Sequence, residues 1–121
     1  MNESDYTAKL SAALKQCDAV VIPLVAGMRG ISGMPDRFIC HRIWAGFLEC
    51  KGQNTKITSL QVYLHAMLNE QQPGICYVCR YIGPNVLQIE YDKYPIGRYA
   101  WDMVGLLTAL QVHRASIGGG G

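Results

Sequence analysis

Asp36, Glu49 and Lys51 have the side-chain types and the spacing for metal-assisted chemistry. Glu49 and Lys51 flank Cys50 in a run typical of a strand. Their side chains are therefore expected on one face of a sheet, and that of Cys50 on the other. Asp36 begins the strand that is predicted to precede this one in a hairpin. We expect its carboxylate to lie beside that of Glu49, at one end of the sheet.

The chemistry that these groups suit is phosphodiester hydrolysis. Two carboxylates and one main-chain carbonyl make a hard oxygen site, which Mg²⁺ prefers while it keeps several waters. Mg²⁺ polarises a phosphate and lowers the pKa of water. A lysine beside it can orient or deprotonate the attacking water, or offset charge on the phosphate. The strand also ends in two charges after the apolar pair Phe47-Leu48, and buried charges need paired or metal partners.

The elements that must position these residues follow from periodicity and turn residues. Helices are predicted at 5–16, from Thr58 or Ser59 to 71, and at 98–114; strands are predicted at 19–25, 36–41, 46–51, 75–82 and 86–91. Pro23 places the first strand nearer an edge than a sheet centre. The order predicts an α/β domain over residues 1–117, with a mixed sheet flanked by helices, and a flexible glycine tail at 118–121.

Two apolar stripes are expected to pack on the core. The second helix carries Leu60, Leu64, Met67 and Leu68. The last helix carries Trp101, Val104, Leu107 and Leu110, which form either core or a dimer interface.

The motifs around the acidic residues resemble those of the PD-(D/E)xK nuclease superfamily. They are closest to its VRR-NUC branch, which is similar to phage and archaeal Holliday-junction resolvases. The matching segments, in the family's order, are Glu3, Gly33-Met-Pro-Asp-Arg37, Phe47-Leu-Glu-Cys-Lys51 and Thr58-Ser-Leu-Gln61. The resemblance spans about residues 3–82 and does not reach residues 92–121.

The resemblance implies a restriction-endonuclease-like fold and a role for each matching residue. Asp36 and Glu49 would bind Mg²⁺ or Mn²⁺, with the main-chain carbonyl of Cys50 as a third protein ligand. Lys51 would assist the attacking water, and Gln61 would lie near the metal or the phosphate.

Glu3 would supply an acid from the first helix and complete the metal site. Asp5 is only two residues away and faces a different direction on a helix, so only one of the two can serve.

The activity that the resemblance implies is structure-selective cleavage of DNA, with a four-way junction or other branched DNA as substrate. A homodimer is expected, because two active sites must address two strands. A flap or nonspecific DNA nuclease of the same fold is the nearest alternative. A non-catalytic DNA-binding module is the rival from another class, although it would not need all three of Asp36, Glu49 and Lys51.

Basic residues near the motifs are candidates for DNA contact. Arg29 and Lys56 flank the site in predicted loops and could contact the phosphate backbone or simply be solvated. Arg37 either touches a phosphate or forms a structural salt bridge.

Composition limits the remaining options. The chain has 121 residues, a formal charge of +2 and 17% charged residues, which fits one ordinary globular domain. It has no apolar run long enough for a membrane span and no signal-like start, so a cytoplasmic location, or a host cytoplasm for a phage protein, is expected. The odd number of cysteines favours reduced thiols. Cys76 and Cys79 lack a second pair at zinc spacing and are expected to be buried free thiols.

Overall fold

A computed structural model describes residues 1–24 and 33–118 of the chain. Residues 25–32, which include Arg29 of a predicted loop, and all but Gly118 of the predicted tail lie outside these residues. The described elements are α1 (Glu3–Gln16), β1 (Val20–Pro23), β2 (Arg37–Cys40), β3 (Ala45–Lys51), α2 (Ser59–Gln71), β4 (Cys76–Gly83), β5 (Val86–Tyr91), β6 (Tyr94–Ala100) and α3 (Met103–Ser116).

The strands form one six-stranded sheet in the order β1-β2-β3-β4-β5-β6. Only β3 and β4 pair in parallel; the other neighbours are antiparallel. Helix α2 connects the parallel pair, as such a crossover requires. The predicted α/β class with a mixed sheet flanked by helices is confirmed. The expected edge position of the strand carrying Pro23 is also confirmed.

The main core lies between the sheet and helices α1 and α3, on one face. Tyr6, Leu10 and Leu14 recur at a spacing of four residues along α1 and are fully buried. The Tyr6 hydroxyl donates to the Cys79 carbonyl at 2.8 Å, which ties α1 to the middle of β4. Helix α1 begins where the Asn2 side chain accepts the backbone N–H of Asp5 at 2.8 Å.

Helix α2 covers the opposite face of the sheet, and the apolar stripe predicted on it is only partly correct, since Leu64 and Leu68 are half-buried. Leu60 and Met67 are 58% and 45% exposed, whereas His65 and Asn69 are buried. The reason is a polar match with the sheet: Asn69 exchanges two hydrogen bonds with the main chain of Cys76, at 2.9 and 3.0 Å. Such paired bonds satisfy strand groups that an apolar side chain would leave unpaired.

The last third of the chain also differs from the prediction. The helix predicted at 98–114 begins only at Met103, and residues 94–100 form the edge strand β6. Asp92 and Lys93 make a tight turn with φ of 47° and 78°, which returns the chain beside β5. Hairpin turns with two positive φ angles favour Asn-Gly or Asp-Gly, so an Asp-Lys pair gives little sequence indication of the turn. In the stripe predicted for this helix, Leu107 and Leu110 are buried but Val104 is 49% exposed.

The five cysteines are all free, as expected. Cys76 and Cys79 are both buried, and the strand alternation puts them on opposite faces of the sheet. Within residues 1–24 and 33–118, no helix is both long enough and apolar enough to cross a membrane.

Candidate active site

The β2–β3 hairpin brings the carboxylates of Asp36 and Glu49 together. Arg37 pairs with Leu48 across the hairpin, so the residue before β2 lies opposite Glu49. The backbone N–H of Asp36 donates to Glu49 Oε1 at 3.1 Å. Glu49 is only 4% exposed, because α2 covers this face of β3. The predicted neighbourhood of the two acids is therefore present in the structure.

The Asp36 carboxylate is held in a fixed orientation by two donors. Its Oδ2 accepts the Cys50 backbone N–H at 3.0 Å, and its Oδ1 accepts Arg37 Nε at 2.8 Å. Arg37 also donates to Ser11 Oγ on α1. Of the two roles expected for Arg37, the structure contains the salt bridge; a phosphate contact stays a prediction. The sequence analysis did not identify Ser11 as a partner of Arg37, because no local pattern relates α1 to the start of β2.

Lys51 and Gln61 both approach the second oxygen of Glu49. Lys51 Nζ lies 3.7 Å from Glu49 Oε2, and Gln61 Nε2 donates to the same oxygen at 3.3 Å. The Gln61 side chain is oriented by a capping box, in which its Oε1 accepts the Thr58 N–H at 3.0 Å while Thr58 Oγ1 accepts the Gln61 N–H. The start of α2 thus presents an amide to the acidic pair.

The first helix contributes Glu3 and not Asp5 to this region. Glu3 Oε1 accepts the backbone N–H of Gly52 at 2.9 Å, directly after Lys51. Asp5 is exposed on another side of α1. Glu3 is close enough for its charge to raise the pKa of both Asp36 and Glu49.

The two central carboxyl groups have too little positive charge around them. Burial and nearby carboxylates therefore raise the pKa of both groups. The pKa of Glu49 is raised to about 7. Burial is the largest cause, the charge of Asp36 adds to it, and Lys51 opposes it to a smaller extent. The pKa of Asp36 is also raised by burial, although the Arg37 ion pair and the Cys50 N–H oppose the rise. A divalent cation between the carboxylates would relieve this deficit.

The donor set fits a hard divalent cation such as Mg²⁺. The N–H and C=O of one strand residue point to the same edge, so the Cys50 carbonyl lies on the edge where its N–H meets Asp36. Two carboxylates and this carbonyl would give three protein oxygens, and waters would supply the rest. Within the part of the chain that the structure describes, no three His, Cys, Asp or Glu side chains form a metal site by themselves. The role of Glu3 as a direct metal ligand stays a prediction.

Arg80 is a site residue that sequence reasoning missed. It contacts the Glu90 carboxylate at 2.6 Å and donates to the Gly52 carbonyl at 2.9 Å and to the Thr55 carbonyl. These contacts hold the segment that follows Lys51 against β4. The available indication was a lone Arg and a lone Glu in the two strands of a predicted hairpin, where opposite charges commonly pair.

The remaining basic candidates have different outcomes. Lys56 is exposed and lines a cavity between α2 and the sheet. Arg29 lies outside the described residues. Neither observation tests a contact with DNA.

Comparison with known proteins adds no further assignment: no protein-family model, no curated protein and no solved structure matches this chain.

Proposed function

We propose that the chain is a Mg²⁺-dependent DNA endonuclease with a restriction-endonuclease-like fold. The observation that carries the proposal is the adjoining pair of half-buried Asp36 and buried Glu49, whose raised pKa values indicate a shortage of positive charge, with Lys51 two residues beyond Glu49 on the same strand. A purely structural pair of acids would be expected to carry enough partners to keep both carboxyl groups readily ionised.

The residues divide the work of such a site. Asp36 and Glu49, with the Cys50 carbonyl, would hold Mg²⁺ or Mn²⁺, which when bound supplies Lewis-acid polarisation of the phosphate and acidifies water. Arg37 and the Cys50 N–H fix the Asp36 carboxylate, and Gln61 fixes Oε2 of Glu49. The Lys51 ammonium is largely buried beside Glu49, where it can offset charge on a phosphate or orient the attacking water.

Branched DNA is the proposed substrate class, with a four-way junction cut by a homodimer as the preferred case. Two features support this substrate class. The motif order of residues 3–82 resembles that of junction-resolving nucleases, and a compact site at one end of the sheet suits recognition of the shape of the DNA. Flap cleavage and nonspecific cleavage by the same residues are the alternatives within the class.

The test is a cleavage assay on labelled junction, flap, single-stranded and linear duplex DNA, each with Mg²⁺, with Mn²⁺ and with chelator. We expect metal-dependent cleavage that Asp36→Asn and Lys51→Ala each reduce by at least about a thousandfold, as for loss of a central catalytic group. Asp5→Asn is the matched control for Glu3→Gln: only the latter should reduce cleavage. Metal-independent cleavage, or full activity in Asp36→Asn, would overturn the assignment of the site. No cleavage of any of the substrates would leave the non-catalytic DNA-binding module as the better account.

A further inference from the structure

A cavity of about 350 Å³ lies between α2 and the β4–β5 part of the sheet, beside the proposed active site. Its walls are mainly apolar, with Ile57, Val62 and Val78 among them. The cavity adjoins the catalytic strand, because its wall residue Arg80 is the register partner of Lys51 across β3 and β4. Its size is at the small end of the range of about 300–1,000 Å³ for small-molecule sites.

One residue of the cavity wall has a buried polar atom without a hydrogen-bond partner among the described residues. His65 lines the cavity and is 6% exposed, and its Nε2 is buried with no hydrogen-bond partner among the described residues. The other polar side chains of the deeper wall are already engaged. Arg80 contacts Glu90, and Asp92 accepts a hydrogen bond from Asn69. A buried nitrogen without a partner carries a free-energy penalty that a guest with a donor or acceptor would remove.

The rim of the cavity carries two lysines from separate segments. Lys56 precedes α2 and Lys93 lies in the β5–β6 turn; both are exposed. Neither takes part in an ion pair among the described residues, whose pairs involve Arg37, Lys51 and Arg80. This combination matches one nucleotide of a DNA strand. The apolar cavity and the buried His65 would suit a flat base, and the two lysines at the rim would suit the phosphates on either side of it.

We infer that this cavity receives one unpaired nucleobase of the DNA strand, with His65 Nε2 as its hydrogen-bonding partner and Lys56 and Lys93 near the adjoining phosphates. The inference rests on the proposed function for the identity of the ligand as DNA, and it narrows the substrate class. A base in a duplex must be unstacked and unpaired before it can enter such a pocket, whereas a junction, flap or single strand offers unpaired bases at little cost.

The test is a binding measurement in chelator, where cleavage is off. Fluorescence anisotropy would compare a labelled single-stranded 12-mer with a fully abasic strand of equal length and charge. We expect wild type to bind the strand with bases about tenfold more tightly, in line with one base held by stacking and hydrogen bonding. His65→Leu and Ala66→Phe should abolish that preference: the first removes the nitrogen, and the second fills the cavity from an exposed position of α2.

Tyr63→Ala is the matched control, since Tyr63 is 65% exposed on α2 and does not line the cavity. If His65→Leu lowers the melting temperature markedly, Ala66→Phe decides. Equal binding of both strands by wild type, or a preference that survives Ala66→Phe, would overturn the inference. Displacement of the strand by micromolar deoxynucleoside monophosphates would also overturn it, because the guest would then be a free nucleotide.

The two proposals fail separately. Metal-dependent cleavage without any base preference would leave the nuclease and remove the pocket. A base preference that Ala66→Phe abolishes, without cleavage of any substrate, would leave the pocket and remove the nuclease.

Discussion

At the scale of single residues, the site is a concentration of buried and half-buried carboxylates whose charge the protein only partly balances. Asp36 has an ion pair and a backbone donor, and Glu49 has an amide and a lysine at 3.7 Å. Both carboxyl groups still have raised pKa values. Such a site costs stability, so the proposed cation, if bound there, would raise the stability of the fold.

The linkage makes a prediction for Glu49. Its pKa is raised from 4.5 in the unfolded chain to about 7 in the fold, so the folded state binds more protons between these values. In chelator, this group therefore adds stability as pH falls from 8 to 5, on the order of 2 kcal/mol. Urea unfolding of wild type and Glu49→Gln at several pH values should show the larger gain in wild type.

His65 changes the stability with pH in the opposite direction, and its effect has to be subtracted in that comparison. Burial and the charge of Lys51 lower its pKa from 6.5 to about 4, so its contribution to stability is lost as pH falls through this window. Because His65 is present in both proteins, the difference between their curves isolates Glu49. At pH 8, Mg²⁺ should also raise the unfolding midpoint of wild type more than that of Glu49→Gln. Identical curves for the two proteins would refute the charge deficit at Glu49.

At the scale of elements, α2 has a double role: it closes one face of the sheet and supplies Gln61 to Glu49. Its most buried residues are polar: His65 and Asn69 follow Gln61 at intervals of four residues, beside the half-buried Leu64 and Leu68. Hydrophobic periodicity predicts only part of the inward side of this helix, because the sheet face beneath it is itself polar around Glu49 and Arg80. The strands are easier to predict, since alternation and turn residues are local properties.

The capping box separates the structural and the functional roles of the start of α2. Thr58→Ala and Gln61→Ala each break it, and each should cost about 1 kcal/mol of stability. Only Gln61→Ala also removes the donor to Glu49 Oε2, so it alone should reduce metal-dependent cleavage, by about 10- to 100-fold, as for partners that orient a ligand. Unfolding curves and kcat/KM on one substrate would measure both effects. Equal loss of activity in the two variants would mean that Gln61 acts only through the helix start.

At the scale of the whole molecule, the proposed resolution of a junction needs two active sites related by symmetry. The described surface carries exposed apolar side chains on β1, α2 and α3, at Val20, Ile22, Leu60, Tyr63, Met67, Val104 and Val112. These residues are available for contacts between subunits, and the exposed residues on α2 begin beside Gln61.

Mixing subunits would test the dimer directly. Wild type should cut a four-way junction in paired symmetric positions, and sedimentation at micromolar concentration should give a dimer. Refolding wild type with an excess of Asp36→Asn should shift the products from paired cuts to single nicks, because mixed dimers hold one working site. A strict monomer, or paired cuts at every mixing ratio, would exclude the two-site mechanism.

The sequence by itself determined the order of elements through β5, and it singled out Asp36, Glu49, Lys51 and Gln61, which the fold brings together. The reason is that alternation, caps and motif spacing are local. It did not predict β6, since the Asp92-Lys93 turn lacks the usual residues.

Only the tertiary structure decided which acid of α1 lies at the site and that Arg37 donates a hydrogen bond to Ser11. It also decided which polar residues of α2 face the sheet and where the cavity beside His65 lies. Each of these joins residues far apart in the chain. Their contacts follow from how the helices pack on the sheet, which no local pattern encodes.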